Sequence, residues 1–108
     1  MIDEADRLVV EAEVVRPADM IPPAGVVHAL QVDEYAVLRV VDGRYDDPVL
    51  YAAREAGTPF TAGDLIWLAL SPTLPGGATP FVTDPAEVNR FGLFYVLEFE
   101  RLGSSARR

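Results

Sequence analysis

The chain is a series of short, β-branched apolar runs separated by Gly, Pro and Asp. Alternating apolar and polar residues over such lengths are typical of half-buried strands, and the Gly, Pro and Asp clusters are typical of turns. A chain of 108 residues has room for one hydrophobic core. We therefore expect one domain, residues 1–108, built mainly of strands, with flexible ends at about 1–6 and 103–108.

Five runs predict strands, and one short segment before the last of them predicts a helix. The run from Leu65 is apolar on both faces, which favours a deeply buried strand. Pro85 is suited to the first turn of a helix, with Asp84 as its N-cap, and the helix should end near Arg90. The predicted strands are Leu8–Arg16, Val26–Val41, Val49–Arg54, Leu65–Leu70 and Gly92–Arg101.

The connections are less uniform than the strands. Charges at the middle of the long second strand predict a bend or a bulge there. Asp42–Gly43 favours a tight hairpin after that strand, but a second turn signal at Asp46–Pro48 favours a longer loop. Three prolines and two glycines in Ser71–Pro80 predict a long exposed loop.

These elements favour a small barrel, because closing a sheet removes its exposed edges. From Tyr35 to Pro72, the chain resembles OB-fold proteins: a long strand, a Gly-containing hairpin, a second strand, an F-x-x-G-D corner at Phe60–Asp64, and a third strand. The resemblance implies an all-β, five-stranded OB-like barrel with one short helix before the last strand. An OB-fold has two strands after its helix and this chain has room for one, so Leu8–Arg16 would fill the gap in a permuted order. An unrelated barrel or a sandwich remains an alternative.

Composition narrows the partners. Seventeen acidic and nine basic residues give a net charge of −8, which disfavours nucleic acid because its binding depends on Lys and Arg at the phosphates. The absence of Cys removes disulfides and thiolate metal sites. Arg is the sole basic residue type, a pattern typical of GC-rich bacterial genomes. No signal peptide or membrane span is evident. We expect an acidic, bacterial, cytoplasmic protein without a membrane anchor or cofactor.

Four side chains are candidates for catalysis. His28 is the single group with an ordinary pKa near neutrality. Asp33 and Glu34 are adjacent in a strand, so one of them should face the interior, where a carboxyl group can act as a general acid. Tyr35 follows them. A structural histidine and an edge-protecting or bulge carboxylate are the competing interpretations.

Three aromatic side chains are candidates for ligand binding: Tyr45, Tyr51 and Trp67. In OB-fold proteins, aromatic residues on one sheet face stack on bases or sugar rings, whereas core packing would explain the same residues without a ligand. We predict no metal site, because the acidic group from Asp42 to Asp47 lacks the ligand alternation of a calcium loop and is explained by turns.

The leading hypothesis is a non-catalytic binding or assembly module that recognises a protein partner or forms a homo-oligomer, because apolar side chains remain off the main core face. One alternative is a small barrel enzyme or carrier for an organic molecule of bacterial secondary metabolism, which requires a cavity. The second is an OB-fold that binds single-stranded nucleic acid through Arg39, Arg44 and Arg54. The surplus apolar residues are Val9, Val15, Val27, Val41, Phe94 and Val96.

Overall fold

The computed structural model describes residues 7–18, 29–55, 59–81 and 85–104. Six strands and one helix lie in these ranges, and none of the described helices is long and apolar enough to cross a membrane. The elements are β1 (Leu8–Arg16), β2 (Ala29–Asp42), β3 (Val49–Glu55), β4 (Asp64–Ser71), β5 (Thr79–Phe81), α1 (Pro85–Phe91) and β6 (Leu93–Ser104).

Five of these strands close into a barrel. The circuit runs β1-β2-β3-β6-β4 and returns to β1. Its neighbours are antiparallel, except that β3 and β6 are parallel. The short helix α1 precedes the last strand. The predicted all-β barrel of five strands with one helix before the last strand is therefore confirmed.

One further strand lies outside the barrel circuit. The three residues of β5 pair in parallel with Ala29–Gln31 at the start of β2. The predicted loop from Ser71 to Pro80 is therefore shorter than expected, because Ser71 ends β4 and Thr79 begins β5. Proline is compatible with strands mainly at sheet edges, where its missing N–H leaves no ladder bond unmade, so a Pro-rich segment conceals a strand of this kind.

The connection between β2 and β3 is the longer of the two predicted alternatives, since β2 ends at Asp42 and β3 begins at Val49. Gly43 has a φ of +89°, and a Cβ atom there would lie 2.8 Å from the carbonyl oxygen of Arg7. Both the left-handed backbone and the close approach of β1 therefore require glycine. The N-cap predicted at Asp84 lies outside the described residues, and α1 extends to Phe91.

Most of the described barrel interior is an apolar cluster. β1 turns alternate side chains inward, as its sequence pattern predicts, and β3 and β4 supply most of the opposing walls. Burial of such side chains is the main favourable contribution to folding. The inward side chains of these three strands are Leu8, Val10, Ala12, Val14, Leu50, Ala52, Ile66, Leu68 and Leu70.

Bulges explain where apolar side chains remain outside. The β1–β2 register omits three residues and the β4–β6 register omits two. Each omitted residue is a large apolar one, between 44% and 57% exposed. An unpaired bulge residue interrupts the alternation of faces and increases the local twist of the sheet. The five bulge residues in the described strands are Val15, Leu38, Val41, Leu97 and Leu102.

The surplus apolar residues of the sequence thus divide into two groups. Val15 and Val41 are exposed, whereas Val9 and Val96 are buried and Phe94 packs against the core. Val27 lies outside the described residues. An apolar surface exists, but only part of it comes from the residues that the sequence pattern indicated.

Core and bulge leucines should differ sharply in their contribution to stability. Leu68→Ala removes a fully buried side chain and should lower the free energy of unfolding by about 2–5 kcal/mol. Leu38→Ala, at a bulge and 57% exposed, should change it by less than about 0.5 kcal/mol. Urea denaturation of both variants measures the difference, and similar losses would contradict this barrel register.

Candidate functional site

A buried ion pair lies inside the barrel between β2 and β3. Asp33 is fully buried and Arg54 is 6% exposed. The Arg54 Nε donates to Asp33 Oδ2 at 2.6 Å, and the other carboxylate oxygen accepts the backbone N–H of Ala18 at 2.7 Å. The Tyr35 hydroxyl lies 3.4 Å from Oδ2 as a longer donor. Both carboxylate oxygens therefore have partners, as a buried charge requires.

Phe60 holds the other side of the Arg54 guanidinium. The Arg54 Cζ atom lies 4.1 Å from the centroid of the buried Phe60 ring. Phe99 meets the same ring edge to face, with centroids 5.1 Å apart. Arg101, which donates to the Pro59 carbonyl at 2.7 Å, lies 5.6 Å from the ring centroid. The planar guanidinium thus has a carboxylate at its edge and an aromatic face below it, a use of Arg that Lys cannot replace.

Burial also governs the ionisation of Tyr35. It raises the pKa of the Tyr35 hydroxyl well above the usual 10.0, and the negative charge of Asp33 raises this pKa further. A neutral hydroxyl is therefore the form that the interior accommodates. Of the four catalytic candidates, the structure brings Asp33 and Tyr35 together inside the barrel, while His28 lies outside the described residues.

The fourth candidate, Glu34, lies on the opposite face of β2. Its carboxylate is 3.1 Å from Arg16 Nη2, and its register partner on β3 is Tyr51. The Tyr51 ring packs against Phe91 of α1 at a centroid distance of 6.2 Å, and Val88 of the same helix is buried. This face of β3 is therefore the docking surface for α1, and Glu34 belongs to it rather than to the interior pair.

The three aromatic candidates for ligand binding are not gathered at one place. Tyr45 meets Phe94 edge to face at 5.7 Å and donates to the Val49 carbonyl. Tyr51 lies between β3 and α1. Trp67 is half-buried, at a β4 position that is out of phase with the inward residues. None of the three is among the residues that line a cavity between β3 and β6.

That cavity lies where the pairing of β3 with β6 ends. The parallel pairing of β3 with β6 covers Tyr51–Ala53 and Leu93–Tyr95. Beyond these residues the two strands leave a half-open cavity of about 250 Å³, lined by Arg54 and Glu55 of β3 and by Val96–Phe99 of β6. We name this region the seam. Within the described chain, β6 beyond Tyr95 is paired with β4 alone.

The seam combines apolar and acidic side chains. Leu97 and Phe99 are 44% and 41% exposed, while Val96 is buried at 9%. Glu55 accepts a hydrogen bond from the Tyr95 hydroxyl at 2.8 Å, and Glu98 is exposed. Neither seam carboxylate can be identified from the sequence, because neither has a motif or a spacing that separates it from an ordinary solvent-facing residue.

No group of three potential metal ligands among His, Cys, Asp and Glu occurs in the ranges that the structure describes. Comparisons with protein families, with curated proteins and with solved structures find no match to this chain.

Removing Arg54 should destabilise the protein strongly. Arg54→Met leaves the Asp33 carboxylate buried without its cation, which should cost about 3–5 kcal/mol in urea denaturation. The double variant Asp33→Leu/Arg54→Met should recover most of that loss, because an apolar pair replaces a buried ionic one at little net cost.

Arg39 offers a matched control, since it pairs with Glu11 at 3.1 Å but its side chain is 64% exposed. Arg39→Met should leave the denaturation midpoint nearly unchanged, because water screens an exposed pair. A double variant no more stable than Arg54→Met alone would contradict the buried pair as the cause.

Alkaline pH should unfold the protein through its tyrosines. Burial raises the pKa of Tyr45 to about 12, and the hydrogen bond from Tyr95 to Glu55 raises the pKa of Tyr95; burial also raises that of Tyr51. The unfolded chain loses these protons near pH 10, so stability is complete below that pH and falls as the pH rises above it.

Tyrosinate absorbance measures this effect. The folded protein should show less tyrosinate at pH 10 than the unfolded chain, with absorbance increasing together with unfolding, and Tyr35→Phe should reduce the alkaline loss of stability. Tyrosines that titrate near pH 10 while the protein stays folded would argue against their buried environment.

Proposed function

We propose that this protein is a non-catalytic binding module that takes an extended segment of a protein partner onto the open edge of β6. The observation that carries the proposal is the early end of the β3–β6 pairing at Tyr95, beyond which β6 pairs with β4 alone in the described chain. An extended peptide can add to such an edge through main-chain hydrogen bonds, while pockets beside it select alternate side chains.

The side chains along the seam support this mode of binding. Soluble proteins usually protect sheet edges with charges, prolines or covering segments. Here the edge carries the exposed Leu97 and Phe99 next to a cavity. Apolar side chains beside a cavity favour a partner that buries its own side chains there.

Charge favours a different protein over a second copy. Each chain carries a net charge of −8, and two copies joined through β6 would bring Glu98 and Glu100 of both edges together. Arg101 is already engaged, 3.6 Å from Asp64 and hydrogen-bonded to a backbone carbonyl. Repulsion between like-charged surfaces opposes self-pairing, so a heterologous partner is the better complement, and homo-oligomerisation becomes the alternative outcome.

The seam cavity also favours a second candidate, a carrier or enzyme for a small organic molecule. Its volume of about 250 Å³ lies just below the ~300–1,000 Å³ of most ligand pockets. Against catalysis, the oxygens of Asp33 are engaged by Arg54 and Ala18, which favours a scaffolding role for that carboxylate.

The nucleic-acid alternative has less support. Arg54 is buried inside the barrel and Arg39 is paired with Glu11, which argues against one exposed patch formed by these residues and Arg44. This proposal includes kinship with OB-fold proteins, a bacterial origin and a cytoplasmic location. The five-stranded barrel supports the kinship, and the acidic composition with Arg but no Lys supports the other two.

Peptide selection tests the proposed edge. Random linear peptides displayed on phage should yield binders to the immobilised protein. These binders should lose about tenfold in affinity for Leu97→Asn, because that substitution removes apolar contact beside the edge without changing its charge. Titration calorimetry with the synthesised peptides measures the change.

Leu38→Asn is the matched control, since Leu38 is another exposed leucine at a bulge, located on β2. Its affinity should stay within about twofold of the unsubstituted protein. Failure to select any binder, or equal binding to Leu97→Asn, would overturn the proposal. Self-association in sedimentation experiments that Leu97→Asn abolishes would replace the heterologous partner by a second copy.

A further inference from the structure

We infer that the outer face of β4 is a second interaction surface, on which an arginine side chain of a basic partner protein stacks on Trp67. β4 is paired on both sides, with β1 and with β6, so this surface is a wall of the barrel and not an open edge. The inference therefore goes beyond the proposed function and does not depend on it. A row of residues across the sheet, the chemistry of that row and the charge of the chain carry it.

Trp67 lies within a row that crosses four strands. Its register partners are Glu11 on β1 and Glu100 on β6, and Glu11 is also opposite Arg39 on β2. Both chain neighbours of Trp67 belong to the apolar core, so its own side chain faces outward. Residues directly opposite each other in antiparallel strands have Cβ atoms about 4.5–5.5 Å apart. Two carboxylate side chains therefore flank the indole, and we name these four residues the outer row.

The outer row combines an aromatic ring with an exposed carboxylate. Glu11 is engaged by Arg39, whose Nε and Nη2 donate to its two oxygens at 3.1 and 3.2 Å. Glu100 is exposed and Trp67 is half-buried. Within the described ranges, the contacts between aromatic rings join other residues. A cation that a partner brings is attracted both by Glu100 and by the indole, whose face binds cations better than those of the other aromatic side chains.

The barrel interior shows which cation suits such a place. Arg54 has a carboxylate oxygen of Asp33 at 2.6 Å from its Nε and the ring centroid of Phe60 at 4.1 Å from its Cζ. A planar guanidinium meets both groups at once, because its edge carries the N–H donors while its face stacks on a ring. A Lys ammonium has no such face. An aromatic ring beside a carboxylate on the outer row therefore favours Arg over Lys.

Charge and apolar surface indicate what brings the arginine. The whole chain has a net charge of −8, which attracts a basic partner and repels both nucleic acid and a second copy of this protein. Leu65, two positions before Trp67 on the same face, is half-buried, and Leu102 of β6 is 51% exposed. Apolar side chains next to the outer row suit a protein surface better than a free guanidinium ion. The occupant is therefore an Arg-bearing, basic surface of another protein.

Two heptapeptides of equal charge test this inference. Both are capped and alternate Gly with a basic residue; one carries three Arg and the other three Lys. Each is titrated into the isotopically labelled full chain, and NMR follows the indole N–H signal, which is unique because Trp67 is the only tryptophan. The Arg peptide should shift this signal saturably and bind about threefold more tightly than the Lys peptide, as one exposed cation–π contact predicts.

Three substitutions locate the effect. Trp67→Leu should abolish the preference for Arg over Lys, while the backbone amides of β4 still respond to both peptides. Glu100→Gln, at an exposed position, should weaken the binding of both peptides about threefold. Asp46→Asn removes one negative charge from the exposed connection between β2 and β3, outside the outer row, and should weaken binding less than Glu100→Gln does.

Each contrary outcome has a distinct meaning. Equal affinity of the two peptides, or a preference for Arg that persists in Trp67→Leu, would overturn the stacking on Trp67. Equal losses for Glu100→Gln and Asp46→Asn would assign the attraction to net charge and would also overturn the inference. Peptide-induced shifts of the β6 amides with an unchanged indole signal would support the edge of β6 and contradict this surface.

Discussion

The buried pair of Asp33 and Arg54 is the interaction on which this barrel depends. A carboxylate that is fully removed from water is tolerated only where a cation and hydrogen-bond donors surround it. Arg54 provides the cation at 2.6 Å, and the backbone of Ala18 donates to the other oxygen. The pair therefore ties β2 to β3, and the hydrogen bond from Ala18 ties the segment after β1 to β2. Phe60 completes the arrangement by packing on the guanidinium.

The pair also decides which face of β2 is inside. Alternation counted from Leu30 would turn Leu38 into the barrel, yet the structure buries Asp33 and Tyr35 and leaves Leu38 57% exposed. The energetic reason is that an ion-paired Asp33 and a hydroxyl-bearing Tyr35 can be buried together, whereas Asp33 alone could not. Leu38 is then the unpaired bulge residue between Val37 and Arg39 in the pairing of β2 with β1.

The same end of β3 connects stability with the proposed function. Arg54 belongs to the interior pair and also lines the seam, so a structural cation forms one side of the cavity, next to Glu55 and Glu98 in its described lining. Binding sites gain precision when their supporting residues are held by packing and hydrogen bonds. The proposed function would place main-chain and side-chain recognition at one location, because Leu97 and Phe99 lie on the part of β6 that pairs with β4 alone within the described residues.

Local sequence determined much of this protein. β1 occupies the predicted residues, and the other predicted strands and the helix agree with the structure to within a few residues. One carboxylate of the Asp33–Glu34 pair faces inward, as predicted, and it is that of Asp33. Period-two alternation and turn chemistry are local properties, so the sequence can reveal them. Which carboxylate turns inward depended on Arg54, 21 positions away. The bulges, β5 and the seam likewise arise from pairing between distant strands. Only the tertiary structure decides these features, because long-range register is not encoded in the periodicity of any single strand.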